Sequence, residues 1–400
     1  MSPKRKQKLV LCDETAAELV PKLQLPKDRG RLSAAIDHGG THPRFGVFDE
    51  AGRPVLKLKG QKEPLRGGLR LELPTYERMP EGLSSPTKLP KYMAQELAAW
   101  LKPVLGQVDW LGYAMAGPVT EDGVQVNTPN IWGPEVTNVP WREMLEKALG
   151  MKGRIALGND MWAAANDIIA RGAKLGYEVD NFIVITVSSG IGSKVVRNRK
   201  VDLGVGGLAG EIGHLPILWP DEIIPGRRCG CGRLYCLEAG SSGNSNAHRA
   251  RTEVDRLWPQ VGVAPSAKLM HTLNGISLEP GDDLDERMAA INEAVVKAAR
   301  RSDPLACYII RRTVRPIARA VAALESQLNI RNFYFVGGFA LALGQLFLDI
   351  LRAEIIELGG ISGRSAEQIM QLGRLYEVEV HDWGLRGAAL GAKLAFDTGT

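Results

Sequence analysis

Apolar positions along this chain alternate between short β-rich runs punctuated by glycine and longer stretches spaced three and four apart, the periods of strands and amphipathic helices. Leu32 to Ile36 is a compact apolar run; Gly39-Gly40 marks a turn, alternation through Phe45, Val47 and Phe48 predicts a returning strand, and the Asp-Glu-Ala-Gly at 49–52 a hairpin into a third strand before Gly60. The same grammar recurs later. Val184 to Val187 is β-branched, Ser188 to Ser193 form a glycine-bearing turn, Lys194 to Val196 begin a return strand, and Asn198-Arg199 make its hairpin. The two strand-turn-strand units, 32–58 and 182–201, read as an internal duplication.

Between and around them the pattern changes. Residues 1–31 hold one amphipathic stretch, Glu14 to Leu25, interrupted by Pro21, and residues 60–90 are rich in Gly and Pro and poorly periodic, which predicts a mobile surface excursion. Apolar positions 93, 97, 101 and 104 predict a helix over Tyr92 to Leu105, leading into a buried strand, Trp110 to Met115, that ends at a small-residue turn. A short strand at 155–157 is followed by a helix with Asn159 or Asp160 at its start. Residues 240–332 read as mainly helical, with a polar patch at 241–247 and a break around Pro280 to Leu284. A strand, a turn at Gly337-Gly338 and an amphipathic helix follow, then a final strand and a closing helix to Phe396.

Four hundred residues exceed what one core usually fills, so two lobes are expected: an extension at 1–31, a small α/β lobe over 32–172 joined by a returning helix at 385–400, and a large lobe over 173–384. Hydrophobic content of 44% is that of a folded globular chain, and a net charge of +5 over 50 basic and 45 acidic residues is small. The opening Met-Ser-Pro-Lys-Arg-Lys-Gln-Lys reads as a solvated tail, which speaks against a nucleic-acid partner. No apolar run approaches the ~18 residues of a membrane helix, so no membrane partner and a cytoplasmic location are expected.

The densest chemistry lies between Gly206 and Gly240. His214, Cys229, Cys231 and Cys236 offer one imidazole and three thiols, the last three at C-x-C-x4-C spacing, a donor set that zinc takes in closed structural sites. Inert buried thiols remain the alternative on the residues alone; a disulfide is disfavoured by five cysteines in a chain with no secretory signal. Cys307 reads as a small buried hydrophobe, and Cys12 has no evident partner. Asp37-His38-Gly39-Gly40-Thr41 can present backbone N–H groups and a hydroxyl to phosphate, although paired glycines also serve ordinary hairpins. Asp160 suits either a helix N-cap or a general base that accepts the proton of an attacking hydroxyl.

Glu211-Ile212-Gly213-His214 followed by Cys229-Gly-Cys-Gly-Arg-Leu-Tyr-Cys-Leu-Glu238 resembles the ROK family signature, E-x-G-H then C-x-C-G-x-x-x-C-L-E, with a longer spacer at 215–228. Over roughly 32–396 the other motifs follow in family order: D-x-G-G-T-x-x-R at 37–44, the Thr128-Pro129-Asn130 segment, Asn159-Asp160, the Ser188 to Lys194 turn, Gly337-Gly338 and the Asp-Trp-Gly-Leu ending. The resemblance implies a two-lobed actin-like (ribonuclease H-like) ATPase fold of α/β class, with a duplicated mixed-sheet core and a zinc-binding loop. It implies the kinase branch of the family, because about thirty residues ahead of Leu32 are too few for a winged helix-turn-helix.

Carried over residue by residue, Asp160 is the catalytic base, and Gly117, Asn130, Asn159, Asp160, Glu211, His214 and Glu238 hold the substrate. Asp37 positions magnesium through water; Gly39, Gly40, Thr41, Ser188, Ser189, Gly190, Gly192, Gly337 and Gly338 hold ATP; and His214, Cys229, Cys231 and Cys236 hold structural zinc. The implied activity is ATP-dependent phosphorylation of a hydroxyl on a hexose or related sugar; members of the family are often homodimers, and the sequence leaves the assembly of this chain open. Departures at His42, Ser188 and Lys194 in the phosphate turns motivate a non-catalytic sugar-binding regulator as one alternative, and Trp162, Pro118 and the long spacer motivate a cyclitol or amino-sugar kinase as another.

Overall fold

Alternating apolar residues at 32–36 and 45–48 build the first of two mixed sheets in a computed structural model that describes residues 16–26, 30–39, 43–252, 267–276, 284–376 and 383–397. Contacts divide the chain into two units: Met1–Asp180 with Arg199–Ala209 and Val378–Thr400, and Asn181–Asn198 with Gly210–Glu377.

In the first unit five strands lie in the order Leu69–Arg70, Arg44–Asp49, Leu32–His38, Trp110–Met115, Ile155–Asn159. Leu32–His38 is antiparallel to Arg44–Asp49, with Ala34 opposite Val47, and parallel to Trp110–Met115, which is parallel in turn to Ile155–Asn159. Ile36, Phe45, Val47, Leu111 and Tyr113 pack from the sheet against Met93, Leu97 and Leu101 of the helix Leu89–Leu105. The other side carries Ala35, Ala114, Trp162 and Ala163 with Leu385, Ala388 and Ala389 of the helix Trp383–Asp397. A buried bidentate pair, Arg386 Nε to Asp167 Oδ1 at 2.6 Å and Nη2 to Oδ2 at 3.0 Å, locks that helix to Asp160–Arg171. Removing one member of such a pair costs about 3–5 kcal/mol, because the other charge stays buried alone.

Two expectations about this unit change. Beyond an isolated bridge between Phe48 and Pro54, the chain leaves the sheet, and Lys57–Leu58 pairs with Leu23–Gln24 instead. The 60–90 segment is anchored where looseness was expected: Leu69–Arg70 supplies the sheet's edge strand, Leu69, Leu71 and Leu73 are buried, and Arg70 and Glu72 between them are exposed. Burial of three leucines on one face of an extended segment holds it to the core.

In the second unit Ile191–Arg197, Phe182–Val187, Phe333–Val336 and Arg374–Leu375 lie side by side in that order, the first pair antiparallel and the rest parallel. Ile183, Ile185 and Phe335 of these strands pack on Ile309, Val314, Ile317 and Val321 of the long helix Pro304–Leu328. That helix begins with Asp303, whose carboxylate accepts from Ala306 N, and Pro304 at the first position where no N–H is needed. The strand expected ahead of the closing helix, 377–382, lies outside the described residues.

Candidate functional site

In the first unit the parallel strands end together. Register sets His38 beside Met115 and Met115 beside Asn159, so Asp37, Gly39, Gly117, Asn159 and Asp160 gather at the carboxyl ends of adjacent strands, the edge where open α/β sheets bind ligands. Gly40, Thr41 and His42 lie outside the described residues. Asn159 is the N-cap of the helix Asp160–Arg171, its Oδ1 accepting from Trp162 N at 2.8 Å. Asp160 stands one position later, exposed, with Oδ1 accepting from Met161 N at 2.8 Å. The capping function therefore falls to Asn159 and leaves Asp160 at the mouth of the strand ends.

Asp37 is held by a residue that its motif contains but that was not assigned a role: Arg44 Nη2 donates to Asp37 Oδ2 at 2.5 Å across the antiparallel pair. Gly384 opens the closing helix so near that a Cβ there would fall 2.5 Å from Asp37 Oδ2. Behind Asp37, His38 is fully buried and its Nδ1 lies 2.8 Å from Tyr113 Oη. Burial lowers its pKa to about 3, so the ring is neutral at physiological pH. Tyr113 packs edge-on against Trp141, and Trp141 against Trp132, which follows Asn130 by two residues.

Gly117 has φ +91, and a Cβ there would meet Asn127 O at 2.2 Å, so only glycine lets this turn close on the strand Gln125–Asn127. Gln125 Nε2 donates to both Ala116 O, at 3.0 Å, and Asn127 O, at 2.9 Å, tying the Gly117 turn to the segment that carries exposed Asn130. Trp162 is buried, and its ring fills the space left by Gly158 and Gly391; its bulk is absorbed by packing within the unit.

In the second unit the nucleotide candidates converge in the same manner. Thr186 pairs with Val336, so the turn Ser188 to Gly190 and the turn Gly337-Gly338 leave neighbouring strand ends. Glu238 reaches this turn: its Oε2 accepts from Ile191 N at 3.0 Å, and a Cβ on Gly190 would lie 2.8 Å from it. Ser188 O accepts from Gly243 N at 2.6 Å, which docks the turn on the helix Gly243–Thr252. Half-buried Glu211 has Lys194 Nζ at 4.0 Å from its Oε1. Burial raises the Glu211 carboxyl above its ordinary range, while Lys194 and His214 oppose the rise and Glu238 adds to it.

The four candidate metal ligands meet. Their donor atoms all lie within 4.8 Å of one another, with His214 Nδ1 3.3 Å from Cys229 Sγ and Cys231 Sγ 3.4 Å from Cys236 Sγ. A tetrahedron of zinc–sulfur bonds about 2.3 Å long has edges of about 3.8 Å, so the cluster fits the ion its donors select. A turn from Cys229 to Arg233 carries Cys231 at its tip, and pairing of Leu215 with Leu237 brings His214 to Cys236. Burial disfavours the Cys231 thiolate, but Arg233 Nε donates to its sulfur at 3.3 Å and holds the thiol down at about 6; burial pushes Cys229 up to about 12. The long spacer is stapled to the helix Pro304–Leu328: Arg312 donates to Asp221, Arg319 to Glu222, and the Trp219 ring lies 4.1 Å from the Arg319 guanidinium carbon.

An α/β protein of two mixed sheets with glycine turns at their strand ends and a Cys3His loop is the class these features define. The ROK family model matches residues 33–389, and the chain belongs to the ROK family. It is 33% identical over 341 residues to a C(7)-cyclitol 7-kinase of Streptomyces hygroscopicus subsp. limoneus, covering 84% of this chain and 88% of that one. To an N-acetylmannosamine kinase of Escherichia fergusonii it is 28% identical over 358 residues, covering 89% and 96%. Among solved structures, a ROK family glucokinase from Streptomyces griseus in complex with glucose and AMPPNP aligns with a TM-score of 0.59 at 25% identity, over 90% of this chain and 98% of that one. Among the described residues no helix is long and apolar enough to cross a membrane.

Proposed function

We propose that this chain transfers the terminal phosphoryl group of ATP to a hydroxyl of a hexose or related polyol, with Asp160 as the general base. The observation that carries the proposal is the division of labour at the helix start: Asn159 caps the helix, and the adjacent Asp160 carboxylate is exposed at the same edge of the sheet as Asp37, two strands away. Phosphoryl transfer asks little covalent chemistry of a protein; it asks for positioning, charge stabilisation and a group to receive the hydroxyl proton. Asp160 receives that proton. Asn130, Asn159, Glu211, His214 and Glu238 orient the acceptor, with carboxylates accepting charge-assisted hydrogen bonds from its hydroxyls. Backbone N–H groups and hydroxyls of the glycine turns at 39–41 and 188–192 face the phosphates, and Gly337-Gly338 lies against the base.

Asp37, fixed by Arg44, would hold magnesium through water; when bound, that ion neutralises phosphate charge. His214, Cys229, Cys231 and Cys236 would hold zinc, which fixes the loop from which His214 and Glu238 project. For the acceptor, the resemblance to a C(7)-cyclitol 7-kinase and to N-acetylmannosamine kinases makes a cyclitol or an amino sugar a second reading beside glucose. ATP consumption across glucose, N-acetylmannosamine and a C7-cyclitol tests the proposal. Turnover of one of them at least tenfold above the others in kcat/KM assigns the acceptor, whereas sugar binding without turnover of any would replace the enzyme with a sugar-binding regulator.

A further inference from the structure

Lys194 occupies the strand Ile191–Arg197 opposite Val184, and only 1% of it is exposed. Side chains alternate along a strand, and Ile191 and Val195 point into the helical core, so Lys194 emerges on the opposite face. A lysine in the middle of a sheet is an unfavourable occupant: its ammonium loses hydration that an apolar residue would not miss, and the position stays tolerable when an anion faces it. Glu211 faces it, with Oε1 4.0 Å from Nζ. The backbones of the two lie close, since a Cβ on Gly210, immediately before Glu211, would fall 3.2 Å from Lys194 Cα. Glu211 itself is only partly covered, so one side of its carboxylate meets the lysine while the remainder is open to a ligand.

We propose that Lys194 is a positioning residue: it holds the Glu211 carboxylate in the orientation that receives the hydroxyls of the acceptor. The proposal rests on the reading of Glu211 as a substrate ligand. It accounts for a lysine at a strand position where the family pattern carries glycine, and it assigns the residue to the acceptor and not to the phosphates of ATP. An ammonium on a four-carbon stem reaches a carboxylate from a strand where a shorter side chain would not, and it leaves the lone pairs on the far oxygen free.

The test is a double-mutant cycle of Lys194→Met, Glu211→Gln and both together, read as KM for the acceptor that turns over best, KM for ATP, and kcat. Lys194→Met is expected to raise the acceptor KM by about tenfold or more and leave the ATP KM within about twofold, and to add nothing in the Glu211→Gln background. Effects that multiply, or a rise confined to the ATP KM, would overturn the proposal. Lys194→Gln, which removes the charge and shortens the reach by one bond while keeping a polar end, runs through the same cycle if the methionine variant does not fold. Crystal structures of wild type and the variant form a second arm, independent of turnover: a Glu211 carboxylate displaced by about 1 Å or more supports the positioning role, and an unmoved one refutes it. Should Glu211→Gln leave the acceptor KM unchanged, the functional reading of Glu211 fails, and the crystallographic arm still decides the role of Lys194.

Discussion

Replacing Asp160 by Asn removes one charge and keeps the shape of the side chain, which makes it the sharpest perturbation of the proposed chemistry. Asn159 retains the cap through its bond to Trp162 N, and an asparagine at 160 keeps an Oδ1 to accept from Met161 N. At the helix N-terminus the structural loss is the favourable interaction of a carboxylate with the helix dipole, about 0.3–1 kcal/mol at an exposed site. For a unit of this size that shifts Tm by about 4 °C at most. The catalytic loss is of another order. An amide cannot accept the hydroxyl proton, and a general base contributes about 10²- to 10⁴-fold, or about 2.7–5.4 kcal/mol of barrier. A coupled assay of ADP release beside a melting curve and a sugar-binding isotherm therefore separates the two. Turnover is expected to fall at least a hundredfold or so, with acceptor affinity within a few-fold of wild type. Turnover within about tenfold of wild type would refute the assignment of Asp160.

Cys231→Ser is expected to lower bound zinc from about one ion per chain to well below half, and to lower Tm, because the cluster loses one of its four donors; wild-type protein that carries no zinc by elemental analysis would remove the zinc assignment. His38 makes stability depend on pH. Its folded pKa of about 3 lies below the ordinary 6.5, so the unfolded chain binds the extra proton between those values, and stability is lost as pH falls through that window at about 1.4 kcal/mol per unit. Between pH 6.5 and 4.5 the wild type should therefore lose about 2–3 kcal/mol more than His38→Gln, and parallel urea-unfolding curves for the two proteins would contradict a buried neutral imidazole.

Local patterns carried the metal loop, the glycine turns and the duplicated sheets, since each is written in a few consecutive residues. The four donors converge because three sit within eight residues and the fourth is returned to them by the pairing of Leu215 with Leu237. The edge strand at Leu69–Arg70 was legible too, in the strict alternation Leu-Arg-Leu-Glu-Leu at 69–73, but surrounding Gly and Pro obscured it. Neighbouring candidates for one task are harder: nothing in Asn159-Asp160 says which residue caps the helix, and backbone geometry gave the task to Asn159. Long-range partners were invisible. Arg386 meets Asp167 across 219 positions, and Arg312 and Arg319 reach the spacer at Asp221 and Glu222 from a helix about ninety residues on, and no local period announces either. Trp162, one of the sequence departures that motivated a cyclitol or amino-sugar acceptor, is buried, with its ring in the space left by Gly158 and Gly391.

The central claim is that the acceptor hydroxyl is delivered to Asp160. A crystal structure with the preferred acceptor and a non-hydrolysable ATP analogue measures this directly. The account predicts one acceptor oxygen within about 2.6–3.2 Å of an Asp160 carboxylate oxygen and facing the terminal phosphate. An acceptor bound with every hydroxyl beyond that reach, its reacting oxygen resting on another carboxylate, would contradict it.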